Sequence, residues 1–180
     1  YQLFSSSEPA TQQNVNQAVR YVQGLHATGG TEMMKALRSA LGKDKKFNKV
    51  RQVIFITDGS VGNESDLFSY IEKNLGRSRL FTVGIGSAPN SYFMRKAAEF
   101  GKGTFTYIGY ASDVREKMGE LFSKLESPVL SEIVIDWKGQ NVEHSPKILP
   151  DLYLGEPIVI TAKLPKLGAQ GNQVVVVDPY

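Results

Sequence analysis

Between Gly29 and Ser127 the apolar positions switch repeatedly between two periods. Met33, Met34, Leu37, Ala40 and Leu41 recur at helical spacing over Thr31 to Leu41, and Gly42 ends the stripe. Val50 to Thr57 reads as an apolar strand of the kind buried on both faces of a parallel sheet. Leu67, Phe68, Ile71 and Leu75 predict a second helix over Ser65 to Leu75, with Gly76 as its stop. Arg79 to Gly86 (RLFTVGIG) predicts a second strand. Phe93, Ala97 and Phe100 predict a third helix over Ser91 to Phe100, and Gly103 to Ile108 (GTFTYI) a third strand. Val114, Met118, Leu121, Phe122 and Leu125 mark a fourth helix, with Ser112 as its expected N-cap.

Strict alternation of strand and helix predicts a Rossmann-like α/β fold: a doubly wound, mostly parallel sheet with helices on both faces. Ligands of such folds bind beyond the carboxyl ends of the strands. Asp58 lies at that edge, and Thr31 joins it if the glycine pair before it opens a loop there. After Pro128 the texture changes. Val129 to Trp137 and Pro157 to Leu164 alternate apolar and polar residues, and Gln173 to Val177 is a further β-rich run. The expected organisation is therefore an α/β domain over residues 1–127 and a short all-β region, part of a β-sandwich, over 128–180. That second region has about fifty residues, near the lower limit for independent folding.

Composition narrows the function. The 180 residues are 41% apolar and 22% charged, with a net charge of +3 and acids interleaved among the bases. No basic face with stacking aromatics predicts nucleic-acid binding. No apolar run approaches a bilayer span, so direct membrane insertion is not expected. Cysteine is absent, which removes disulfides, thiolate metal sites and cysteine nucleophiles. The opening YQLFSSSEPA reads as the tail of a strand entering a turn, so the chain is expected to be a piece of a longer protein.

Two short motifs carry the candidate chemistry. In Gly29-Gly30-Thr31-Glu32 the glycines permit positive φ, and the threonine leaves a hydroxyl at a helix N-terminus. Taken alone, an ordinary loop and N-cap explain it. In Thr57-Asp58-Gly59 an aspartate follows a buried strand. It either caps the following loop or serves, directly or through water, as a ligand of a hard divalent cation. An unpaired carboxylate buried there would cost several kcal/mol, so Asp58 is expected to have partners.

In this order the two motifs resemble the von Willebrand factor A domain. GGTEMMKAL, RQVIFITDGSVGNE and LFTVGIGSAPNSYFMRKAAEFGKGTFTYI look like the bacterial relatives of inter-alpha-trypsin inhibitor heavy chains. The resemblance implies a metal-ion-dependent adhesion site holding Mg²⁺ or Mn²⁺, to which Thr31 and Asp58 contribute, with Gly29, Gly30 and Gly59 as the supporting loops. It also implies a protein ligand presenting an acidic side chain, and a cell-envelope or secreted location. The family's Asp-x-Ser-x-Ser stretch is missing, because no aspartate of the chain begins one. The first strand, that motif and the first helix are therefore expected upstream of Tyr1. YQLFSS is then expected to be a strand leading to the second loop, and the sheet edge left open offers a route to self-association.

Mg²⁺ requires about six oxygens in octahedral array, so one hydroxyl and one carboxylate bind it weakly at best. The reading is an adhesion or protein-binding module, not an enzyme, whose cation site is incomplete in this chain. The alternatives are a structural A domain with a vestigial site, or an α/β hydrolase or nucleotide-binding enzyme. Against the enzymes, Gly84-Ile85-Gly86 is followed by Pro89 where a dinucleotide fingerprint needs glycine. Ser60 has Asp58 two residues before it, which is no nucleophile elbow. His26 and His144 read as surface residues.

Overall fold

The apolar run after Val50 forms β1 (Arg51–Thr57), the first strand of a three-stranded parallel sheet that continues with β2 (Ser78–Ile85) and β3 (Lys102–Ile108) in the order β1-β2-β3. The computed structural model describes residues 2–26, 32–42, 50–58, 62–87, 89–127, 129–131, 133–153, 157–163 and 175–177. They fall in two units, Tyr1–Thr31 and Glu32–Tyr180.

In the larger unit, α2 (Met33–Ala40), α3 (Glu64–Asn74) and α4 (Ser91–Phe100) cover one face of the sheet. Their buried residues follow the predicted stripes: Met33, Leu37 and Leu41; Leu67, Ile71 and Leu75; Phe93, Met94 and Ala97. These meet Leu80, with Val53, Phe55 and Phe105 packed against the cluster. Each helix shows only one apolar face, which explains why the 3.6-residue period was readable. Arg51, at the start of β1, donates to the carbonyls of Ala40 and Gly42 at 2.9 and 3.3 Å, and so satisfies the C-terminal end of α2.

The opposite face carries α5 (Val114–Glu126), whose Leu121 packs with Phe81, Val83 and Ile108. Six of the eight β2 residues are buried, since the strand has a neighbour on each side and a layer on each face. Thr82 is polar within it, and its hydroxyl donates to the Met94 carbonyl at 2.8 Å. Between Leu80 and Thr82 the β2–β3 register shifts by one residue. There Gly103 lies against the Leu80 carbonyl so closely that a Cβ would collide with it.

The β-rich region forms three short antiparallel pairs: β4 (Val129–Leu130) with β7 (Leu152–Tyr153), β5 (Val134–Asp136) with β9 (Val175–Val177), and β6 (Glu143–Ser145) with β8 (Thr161–Lys163). It joins the α/β layer through Tyr153, which is buried edge-on against Phe81 with ring centroids 5.5 Å apart.

Several local expectations are corrected. YQLFSS is not a strand: residues 2–10 contain none, and the smaller unit holds instead α1 (Gln12–Gln23). Ser5-Ser6-Ser7 offers no apolar alternation to pair, whereas the Thr11 hydroxyl accepts from the Asn14 N–H and starts a helix. Ser112 is not the N-cap of α5 but lies inside a 3₁₀ turn (Ala111–Asp113), a common tightening of a helix N-terminus. The position before α2 is Glu32, which makes no capping bond; Thr31 lies outside the described residues. His144 is half-buried, with its ring 5.7 Å from Trp137 and Nδ1 3.0 Å from the Pro146 carbonyl oxygen.

Candidate functional site

Thr57, Gly84 and Tyr107 are level across the sheet, so the loops after β1, β2 and β3 leave from one edge. Asp58 is the first residue beyond β1 at this edge. It is exposed, and no described residue donates a hydrogen bond to its carboxylate or forms an ion pair with it. The expected desolvation problem therefore does not arise: water solvates the charge, and no set of buried partners is needed.

The neighbouring loops are tied more firmly. Asn90 precedes α4; its side-chain oxygen accepts from the Phe93 N–H at 3.0 Å, while its amide nitrogen donates to the carboxylate of Glu64, the first residue of α3. One side chain thus caps one helix and holds the start of another. The hydroxyl of Tyr107 donates to the Gly86 carbonyl at 3.0 Å and fixes the β2 loop from the side of β3. Tyr107 is nonetheless about half exposed, and Tyr92 and Tyr110, in the first turn of α4 and the loop after β3, are more so. Sequence reasoning missed these three tyrosines. Their signal was present only as isolated aromatics beside predicted strand ends.

Of the predicted site residues, the structure places Asp58 at the carboxyl edge. Thr31, Gly29, Gly30 and Gly59 lie outside the described residues. Among the described residues no three His, Cys, Asp or Glu side chains converge as a metal-binding group. Asp58 has the right chemistry for one ligand of a hard cation, but the described donors do not fit Mg²⁺, which needs about six oxygens.

A three-stranded parallel sheet flanked by helices, with its loops gathered at one edge, is the α/β fold of von Willebrand A domains. A sequence profile described as "von Willebrand factor type A domain" matches residues 1–107, and the chain belongs to that family. It is similar to a von Willebrand factor A domain-containing protein of Dictyostelium discoideum, 32% identical over 178 residues, which cover 98% of this chain and 19% of the relative. It is also similar to von Willebrand factor A domain-containing protein 5B1 of Mus musculus, 26% identical over 136 residues, 75% of this chain and 11% of that one. Among solved structures, the von Willebrand factor type A protein from Catenulispora acidiphila matches with a TM-score of 0.61 and 26% identity, over 79% of this chain and 36% of that chain. The chain spans about a fifth of the length of the first curated relatives. Members of this family are generally adhesion or protein-interaction modules. Among the described residues no helix is long and apolar enough to cross a membrane.

Proposed function

We propose that this chain is a protein-binding module of the inter-alpha-trypsin inhibitor heavy chain-like kind, non-catalytic, which meets its partner at the carboxyl edge of the sheet. One observation carries the reading: Asp58 stands exposed at the end of β1, with no described side chain holding its charge. Tyr92, Tyr107 and Tyr110 support it, because exposed tyrosines supply contact area at low entropic cost. In this proposal Asp58 and Thr31, with the loops at Gly29, Gly30 and Gly59, give part of a Mg²⁺ or Mn²⁺ site. The missing oxygens come from an Asp-x-Ser-x-Ser stretch that this sequence does not contain, and an acidic side chain of the partner takes the open position on the cation. The cell envelope or the extracellular space is the proposed location.

Calorimetric titration with Mn²⁺ tests it, on this chain and on the same chain joined to a segment bearing Asp-x-Ser-x-Ser. Binding by the joined chain, lost on Asp58→Ala, supports the cation site. Silence from both overturns it and leaves an A domain with a vestigial site. Tight binding by the 180-residue chain alone would mean that other residues complete the site.

A further inference from the structure

Asp58 carries a second chemistry that needs no metal. Of the aspartates in the chain it alone is followed by glycine, and no asparagine is. In such a pair the amide nitrogen after the aspartate, here that of Gly59, can attack the side-chain Cγ and close a five-membered imide. The N–Cγ bond forms as one carboxyl oxygen leaves as water, taking the amide proton and the proton of the carboxylic acid. A side chain on the following residue hinders this approach, and glycine has none. Water then opens the imide at either carbonyl. Opening at Cγ restores aspartate; opening at the main-chain carbonyl gives isoaspartate, in which the chain runs on through Cβ and Cγ. The water lost is regained, and nothing is oxidised or reduced.

The fold leaves Asp58 open to this path. The β1–β2 ladder ends with Thr57 beside Gly84, so Asp58 is the first residue past the paired backbone. It is exposed, and no described residue donates a hydrogen bond to its carboxylate. The other described aspartates are held. Asp66 lies in the first turn of α3, and Asp113 accepts from the Ser112 hydroxyl at 2.8 Å. Asp136 accepts from the Lys138 backbone and side chain, and Asp151 is buried against Arg79. Each of these four precedes a bulky residue: Leu67, Val114, Trp137 and Leu152.

We infer that Asp58 is a site of spontaneous isomerisation to isoaspartate in the folded chain, and so a substrate position for an isoaspartyl-directed methyltransferase. The change adds one carbon to the main chain and draws the carboxylate back onto Cα, by about one carbon–carbon bond of 1.5 Å. Its consequence for a cation rests on the reading above, since a ligand moved that far no longer fits a metal–oxygen shell. The isomerisation itself needs neither cation nor partner.

The test holds the 180-residue chain for several weeks at body temperature and neutral pH. Isoaspartate is read by methyl transfer from S-adenosylmethionine with protein L-isoaspartyl methyltransferase, and is placed in the sequence by fragmentation of the separated peptides. It is expected at Asp58 at least about tenfold above Asp66, Asp113, Asp136 or Asp151, because only there is the backbone outside helix, strand and side-chain bonds. The rate in the folded chain should lie within about threefold of that in urea, as no opening of the fold is required. Gly59→Ala should lower it about three- to tenfold, through the added Cβ. The proposal is overturned if isoaspartate forms at Asp58 only in urea, or if it forms equally at the other four aspartates. It is overturned as well if Gly59→Ala leaves the rate unchanged. Because the readout involves no metal, a chain silent towards Mn²⁺ can still isomerise, and the cation-site reading and this one fail separately.

Discussion

Asp151 lies just before β7, and both its carboxylate oxygens accept hydrogen bonds from Arg79, the second residue of β2 and 72 positions earlier in the chain. Both side chains are almost completely buried, at 6% and 2% exposure. Removing Asp151 leaves the Arg79 guanidinium buried without a counter-charge, with the Arg77 and Ser78 carbonyls still accepting from it. Asp151→Ala is therefore expected to cost about 3–5 kcal/mol in urea unfolding, whereas the hydrophobic pair Arg79→Met/Asp151→Val, close to the original pair in total volume, should recover most of it. A loss below about 1 kcal/mol for the single variant would mean that water reaches the guanidinium.

The Phe81–Tyr153 contact ties the same segment to the sheet by packing rather than charge. Tyr153→Ala is expected to cost about 3–5 kcal/mol through the cavity it leaves. A double-mutant cycle of Phe81→Leu with Tyr153→Leu should give a coupling of about 0.5–1.5 kcal/mol, the usual range for an edge-on aromatic pair. Zero coupling would place the two rings out of contact in solution.

Two glycines should respond to alanine with opposite signs. At Gly103 a Cβ collides with the Leu80 backbone carbonyl, and backbone within a sheet cannot step aside. Gly103→Ala is expected to destabilise by about 1–3 kcal/mol. Gly119 lies within α5, and a Cβ there meets nothing within 4 Å. Gly119→Ala is expected to raise stability by about 0.5–1 kcal/mol, because alanine gives up less backbone freedom in a helix. Thermal melts of the two variants beside the parent chain decide both.

Asn90 offers a test of the loop edge. Asn90→Ala removes the α4 cap and the bond to Glu64, with an expected cost of about 1–2 kcal/mol. Asn90→Asp keeps a capping oxygen but faces Glu64 with a like charge. It should be less stable than the parent at pH 7. Equal stability would show that Glu64 does not meet this side chain in solution.

Two exposed ion pairs make small contributions to the acid and alkaline limbs of the stability–pH curve. The Asp136 carboxyl is held below its ordinary 3.8, chiefly by hydrogen bonds from the Lys138 side chain and backbone. A lowered folded value means its contribution is present above 3.8 and is lost as pH falls through the folded value. The urea midpoints of the parent and Asp136→Asn should differ at pH 7 and converge near about pH 2. Lys96 is raised above 10.5, first by its hydrogen bond to Glu99, against some desolvation. Its contribution is present below 10.5 and is lost as pH rises through the folded value, so Lys96→Met should differ from the parent at pH 9 and converge towards about pH 12.

The three parallel strands and the four helices beside them were legible to within a residue or two at most ends, because each helix buries one face and β2 is enclosed on all sides. Helix α1 was not, since Val15, Val19 and Val22 stand among glutamines and asparagines and give only a thin stripe. The exposure of Asp58 was not legible either. The apolar run at Val50 to Thr57 predicted a strand buried on both faces, yet no residue of β1 is fully buried and Ile56 is 53% exposed. An apolar run shows what a strand can bury, not what covers it at the end of the sheet.

By itself the sequence determined the alternation of strands and helices, the parallel sheet and the carboxyl edge where Asp58 lies, because these follow from local periods and turn residues. Only the tertiary structure decided that β4 pairs with β7 and β5 with β9, and that Asp151 reaches Arg79. Those contacts join residues far apart along the chain. Short strands of similar composition can pair in many ways, and it is the packing of the whole unit that selects one.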